Sequence, residues 1–133
     1  IQYEISNFSR PGFESKHNLK YWNCEEYLGI GSSAHSFIDG KRFYCEKRTD
    51  KFVCVPDGEG GDFSEYAMLK LRLKQGITEA ETKSRFSRPI PEKMRRKAEF
   101  LQKNGLVISD AEGIRLTRNG FLLSNTVISR LIY

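Results

Sequence analysis

A segment rich in Gly and acidic residues, 56–62 (PDGEGGD), divides the chain into two parts with different hydrophobic patterns. Before it, short runs alternate apolar and polar residues, which is typical of strands. After it, apolar residues recur at spacings of three and four, which is typical of helices. The sequence therefore predicts an α+β fold, with short strands over residues 1–60 and a helical domain with a short hairpin over residues 61–133.

The strand signals lie in the first part. Ile1–Ser6 alternates apolar and polar side chains, the period-two pattern of a strand. Ser36–Ile38 and Lys41–Cys45 flank Asp39-Gly40, which favours a hairpin turn because both central positions need positive φ. Two further short strands are predicted, at Glu26–Ile30 and Lys51–Val55.

The helix signals lie in the second part. Capping boxes that begin at Asp62 and Thr78 predict helices ending near Gln75 and Phe86. A third, amphipathic helix is predicted over Glu92–Asn104. On the first and third helices, the residues expected to face the protein interior are Met68, Leu69, Leu73, Met94, Ala98 and Leu101.

The last part of the chain predicts a hairpin and a helix. Short strands should flank Asp110–Gly113, and Thr117 should cap a helix that ends near Leu131. Helix, helix and hairpin in succession outline a winged helix. The buried face of the last helix is expected to be Leu122, Leu123, Val127, Ile128 and Leu131.

Composition and cysteine usage narrow the class of protein. No apolar run approaches the roughly 20 residues of a membrane helix, and no secretory signal is visible. The three cysteines, Cys24, Cys45 and Cys54, are odd in number and irregularly spaced, which argues against a disulfide framework and predicts a reducing, cytoplasmic location. Cys45 and Cys54 are expected to be inert packing residues. Without a Cys-x-x-Cys pair, a zinc site or an iron–sulfur cluster within this chain is not expected.

The densest group of chemically capable residues is His17, Asn18, Tyr21 and Trp22. Neutral imidazole is a common iron ligand, including in haem. The aromatic rings could offer flat apolar surface to a porphyrin, and Asn18 could orient the imidazole. On residue chemistry alone, a structural histidine beside core aromatics is the favoured interpretation.

A small-residue loop with Gly29, Gly31 and Ala34 follows, and His35 ends it. Small residues let a backbone approach a cofactor closely, so the loop is a candidate cofactor-facing segment. A lone Gly-x-Gly is more often a tight structural turn, because the phosphate-binding fingerprint needs a third Gly and a following helix. For His35, a solvent-exposed turn histidine is favoured over metal ligation.

Basic residues on the third helix leave a nucleic-acid alternative open. Arg95, Arg96, Lys97 and Lys103 lie where a winged helix would place its recognition helix. The net charge of +5 is compatible with phosphate binding. Nearby acidic residues dilute this patch, so a structural or partner-docking role is favoured over nucleic acid.

Three motifs in order carry a resemblance to a known family: YEISNF, HNLKYW and EYLGIGSSAHS, with a Pro-Gly pair between the first two. Together they resemble the C-terminal part of the oxygen-independent coproporphyrinogen III oxidase-like radical-SAM family, nearest its haem-chaperone (HemW) branch. The resemblance covers essentially the whole chain. The chain starts at Ile1 rather than Met, and it is expected to be a fragment of a longer protein.

The resemblance implies a site and cofactors. His17, Asn18, Tyr21 and Trp22 match the motif tied to haem binding, and the resemblance implies His17 as the ligand of the haem iron. The parent protein would also bind S-adenosylmethionine and a [4Fe–4S] cluster, whose ligands are absent from this chain. The parent would act either as an oxidase or as a haem chaperone that passes a tetrapyrrole to an acceptor protein, while this fragment alone should not be catalytic.

The resemblance also implies how the first strand behaves. Ile1–Ser6 would complete the edge of the family's barrel. Without its barrel neighbours it would present an open edge. It is therefore expected to pair with something else, such as a second copy of the chain.

Overall fold

A computed structural model describes all 133 residues, with six helices and two small antiparallel sheets. The helices are α1 (Lys16–Trp22), α2 (Phe63–Lys70), α3 (Glu79–Phe86), α4 (Glu92–Lys103), α5 (Arg118–Leu122) and α6 (Ser124–Ile132). The strands are β1 (His35–Ile38), β2 (Lys41–Arg48), β3 (Lys51–Glu59), β4 (Ile77–Thr78), β5 (Val107–Ser109) and β6 (Gly113–Leu116). The α+β prediction is confirmed, and the strands do not close into a barrel. None of the helices has the length and apolar character needed to cross a membrane.

The first sheet has the order β1-β2-β3. Asp39 and Gly40 form the predicted turn between β1 and β2, with φ of 51° and 70°. The predicted strand at Lys51–Val55 is confirmed and continues to Glu59. The candidate at Glu26–Ile30 is reduced to an isolated bridge between Tyr27 and Phe37.

The prediction that Cys45 and Cys54 are inert packing residues is wrong. The register of β2 and β3 places them directly opposite each other, with Cα atoms 4.0 Å apart, and they form a disulfide. Cys24 is the one free cysteine and is buried. The pairing depends on strand register, which the spacing of the cysteines in the sequence does not reveal.

The N-terminal segment pairs within its own chain. Gln2 and Glu4 make isolated bridges to Phe8 and Leu73, so the predicted continuous strand does not form. The amide of Ile5 donates to the carbonyl of Arg72, and a reciprocal bond runs from residue 74 to residue 3. The first segment, which was expected to pair with something other than its barrel neighbours, thus pairs with residues 72–74 of the same chain.

The helical part begins as its caps predict. Asp62, Thr78 and Thr117 each accept a hydrogen bond from the backbone amide three residues on. Met94, Ala98 and Leu101 form the predicted buried stripe of α4. The second sheet has the order β4-β6-β5 and includes the predicted hairpin. The winged-helix-like character of residues 61–133 stays a prediction.

Three positions in this part differ from the predicted burial. Met68 is 39% exposed, because α2 ends at Lys70 and turns a different face to the core. Leu122 and Leu123 are 79% and 54% exposed. The predicted last helix is broken at Leu123 into α5 and α6, which carries both leucines out of the buried face.

A single cluster of 19 buried residues forms the core. Most of it belongs to α2, α4, α6 and the second sheet, but Cys24 and Phe37 from the first part join it. Arg42 of β2 donates hydrogen bonds to Glu65 of α2. Apolar and ionic contacts therefore hold the first sheet against the helices.

Candidate functional site

An exposed cleft of about 360 Å³ lies between α1, the N-terminal segment and the start of β1. Its lining residues are Asn7, His17, Asn18, Lys20, Tyr21, Trp22, Tyr27 and His35. The four motif residues that the sequence singles out, His17, Asn18, Tyr21 and Trp22, all line this cleft. Both histidines of the chain line this cleft.

Helix α1 presents the motif residues. Ser15 caps it by accepting a hydrogen bond from the amide of Asn18 at 3.4 Å. His17 and Tyr21 are four residues apart on this helix and so share one of its faces. His17 is exposed and Tyr21 is 41% exposed, so both groups are accessible from solvent.

The aromatic rings form one wall of the cleft. Tyr21 contacts Trp22 edge-on at 4.9 Å between ring centroids, and Tyr27 lies 6.2 Å from Tyr21. The guanidinium of Arg72 lies 5.2 Å from the centre of the Trp22 ring. Because edge-on packing leaves ring faces at different angles, the wall is aromatic but not a single flat stack.

His35 enters the cleft from the sheet. It is the first residue of β1 and pairs in register with Tyr44, whose ring centre is 5.2 Å from the imidazole. Its Nδ1 atom is 3.5 Å from Oδ2 of Asp57 on β3. The His35 side chain is 58% exposed, so a ligand could reach it.

The other predicted loop residues do not line the cleft. An added Cβ at Gly29 would lie 2.3 Å from the carbonyl oxygen of His35, so Gly29 permits close backbone packing. Gly31 has φ of 111°, which a side chain would strain. Ala34 is half-buried beside Gly29. The prediction that this loop faces a cofactor stays a prediction.

Lys20 and Tyr27 complete the cleft without having been singled out from the sequence. Lys20 lies within the motif, so its spacing on α1 was a usable signal. Tyr27 offered none, because its place depends on pairing with Phe37. Asn7 is held by a hydrogen bond from its side-chain amide to the buried carboxylate of Glu4.

The basic residues of α4 are partly engaged within the molecule. Arg95 donates to Ser109, to the carbonyls of Asp110 and Gly113, and to Glu79. Arg96 lies 3.5 Å from Glu92 at the surface. The guanidinium of Arg95, a candidate for phosphate contact only in the disfavoured nucleic-acid alternative, therefore braces the hairpin.

Comparison with known proteins gives a consistent family. The family model described as "HemN C-terminal domain" matches residues 63–123. The chain is 32% identical to "Heme chaperone HemW" of Lactococcus lactis, over 98% of this chain and 37% of that protein. It is 29% identical to the protein of the same name from Bacillus subtilis, over 98% of this chain and 38% of that protein.

A mammalian protein also matches. "Radical S-adenosyl methionine domain-containing protein 1, mitochondrial" of Mus musculus is 45% identical over 48% of this chain and 11% of its own length. No solved structure matches the chain. The chain spans little more than a third of the first two relatives. Residues 63–123 belong to the family of the HemN C-terminal domain, and the chain as a whole is similar to proteins named as HemW haem chaperones.

Proposed function

We propose that this chain binds haem or a related porphyrin in the cleft between α1 and β1, with His17 as a ligand of the iron. The observation that carries the proposal is the convergence of His17, Asn18, Tyr21 and Trp22 on one exposed cleft. Two relatives are named haem chaperones, which supports haem as the class of ligand.

The donor set of the cleft fits a tetrapyrrole. No group of three His, Cys, Asp or Glu residues is placed to hold a bare metal ion. A haem iron needs fewer protein ligands, because the macrocycle supplies four nitrogens, and one exposed imidazole is enough. The aromatic wall offers apolar contact, and Lys20 could pair with a carboxylate of the ligand. A volume of about 360 Å³ is near the lower end for ligand clefts, about 300–1,000 Å³.

The roles of the side chains follow from their chemistry. Haem, when bound, would supply the iron, and the chain would hold it through an imidazole nitrogen of His17 and an apolar contact surface. Asn18 would orient the imidazole of His17, and the rings of Tyr21 and Trp22 would shield one side of the ligand from water. This is a binding and holding role, which suits a chaperone better than a catalyst.

The parent protein would carry further cofactors. We expect S-adenosylmethionine and a [4Fe–4S] cluster there, because one relative is named a radical S-adenosyl methionine domain-containing protein. The HNLKYW motif favours haem transfer to an acceptor protein over oxidation of coproporphyrinogen. A cytoplasmic location is the expectation that accompanies this role.

Titration with hemin tests the proposal. The 133-residue chain, produced without a histidine tag, should bind hemin saturably and shift its Soret band. His17→Ala should raise the Kd at least about tenfold, the size expected when even an outer partner of a metal ligand is lost. Lys16→Ala is the matched control, because Lys16 is exposed on the same helix and does not line the cleft. Equal spectra and Kd for wild type and His17→Ala would remove His17 as the ligand.

A further inference from the structure

The geometry points to His35 as a second protein ligand of the same haem iron, an inference that rests on the proposed function. His17 and His35 are the only histidines of the chain, and they are 18 positions apart in sequence. They arrive on different elements, α1 and β1, and line one cleft. A haem iron has two axial positions outside its macrocycle, so two imidazoles can both be used.

The backbone of His35 is fixed by its surroundings. Its strand pairs with β2 over four residues, starting with His35 opposite Tyr44. The Oγ atom of the next residue, Ser36, is buried and accepts a hydrogen bond from the amide of Gly29 at 2.8 Å. A histidine in a solvent-exposed turn would lack these constraints, whereas a ligand benefits from a preset position.

Asp57 lies beside one of the two ring nitrogens of His35. Its carboxylate lies 3.5 Å from Nδ1, which favours the proton on that nitrogen. The lone pair of Nε2 is then left for coordination. A carboxylate behind a histidine is the usual outer partner of metal-bound imidazole, where it fixes the tautomer and raises ligand basicity. Because the Asp57 side chain is 51% exposed, its contribution should be modest.

The other soft donors of the chain are not placed to compete. Cys24 is 8% exposed, and Cys45 and Cys54 are joined to each other. Met94 is 5% exposed, and Met68 is accessible but does not line the cleft. Among the histidine, cysteine and methionine side chains of the chain, only the two imidazoles are accessible in this cleft.

Absorption and electron paramagnetic resonance spectra of the hemin-loaded chain test the inference. Wild type should show a low-spin, six-coordinate ferric haem. His35→Ala should convert it to a high-spin form and raise the Kd at least about tenfold. Added free imidazole should restore the low-spin spectrum of His35→Ala, which a merely structural role of His35 would not explain. His35 is exposed, and far-UV circular dichroism checks that the variant is folded.

A matched pair of substitutions tests the outer partner. Asp57→Ala should keep the low-spin spectrum and raise the Kd by less than about tenfold, because Asp57 is half-exposed. Asp50→Ala, an exposed aspartate in the turn of the same β2–β3 hairpin, should leave both unchanged.

The outcomes separate the two proposals. If His35→Ala keeps the wild-type spectrum and Kd while His17→Ala loses them, His17 is the sole histidine ligand and the inference about His35 is overturned. If both substitutions leave hemin binding intact, the cleft is not the site. If wild type does not bind hemin, the proposed function fails and the inference fails with it.

Discussion

Gly29 sets how closely the loop can approach His35. An added Cβ would lie 2.3 Å from the carbonyl oxygen of His35 and 2.9 Å from the Cβ of Ala34. Real Cβ atoms do not tolerate such contacts, so the backbone around the start of β1 would have to move. A single methyl group at this position should therefore displace the imidazole that lines the cleft.

Gly29→Ala is expected to lower the free energy of unfolding by about 1–3 kcal/mol, the usual cost of overpacking. It should also weaken hemin binding, because His35 is displaced. Urea unfolding and hemin titration measure the two effects. Gly31→Ala is the loop-matched control: nothing lies within 4 Å of its added Cβ, so it should strain the backbone but keep hemin binding. Wild-type binding in Gly29→Ala would contradict the argument.

Helix α1 depends on its neighbours for its position. It has seven residues, none of them buried, and such a short helix is unstable alone. Asn23, which ends it, accepts a hydrogen bond from the ammonium of Lys70 at 2.8 Å. Lys70 on α2 is only 2% exposed and lies 2.9 Å from the carboxylate of Glu81 on α3. An ion pair between the buried Lys70 and the partly exposed Glu81 thus anchors the helix that carries His17.

Glu81→Gln is expected to destabilise the chain by about 2–3 kcal/mol, because it leaves the Lys70 ammonium buried without a counter-charge. The loss should fall below the 3–5 kcal/mol of a fully buried pair, since Glu81 is 27% exposed. Glu92→Gln is the control: its partner Arg96 is 77% exposed, and the change should stay within about 0.5 kcal/mol. Denaturant unfolding compares them, and equal stabilities for the two variants would show that Lys70 does not need Glu81.

The stability of the molecule at acid pH should depend on two carboxylates near the β5–β6 hairpin, Glu79 of α3 and Asp110. Burial raises the pKa of Glu79, but hydrogen bonds from Arg95 and from the amide of Ile90 outweigh it, so the pKa of Glu79 lies below its ordinary value of 4.5. Asp110 at the hairpin has a lowered pKa for a related reason, chiefly its hydrogen bond from Arg115. Both carboxylates bind protons more weakly in the folded than in the unfolded state.

The sign of the pH effect follows from this difference. A group with a lowered pKa stabilises the fold fully above its unfolded pKa, and this contribution is lost as pH falls through the folded pKa. The free energy of unfolding should therefore decrease as the pH is lowered below about 4.5. Glu79→Gln should be less stable than wild type at pH 7 and should lose less on acidification, as urea titrations from pH 7 to 3 would show. Glu99→Gln, at an exposed position of α4, should follow the wild-type curve. Parallel wild-type and Glu79→Gln curves would contradict the assignment.

Local features of the fold were predictable from the sequence. The caps at Asp62, Thr78 and Thr117, the turn at Asp39-Gly40 and the buried stripe of α4 all follow from residues within one or two turns of each other. Their geometry depends on hydrogen bonds and side-chain spacing that a short window of sequence contains. The motif on α1 was visible for the same reason.

What depends on distant segments was not predictable. The partner of the N-terminal segment, the register that joins Cys45 to Cys54 and the break at Leu123 each depend on which segments meet. The cleft was also not predictable. The end of α1, the buried Cys24 and a loop separate His17 from His35 in sequence, and only the folded chain brings both to one cleft. Sequence spacing determines the neighbours along a helix or strand, whereas packing of the core determines which elements lie together, and that packing brings the two imidazoles to one site.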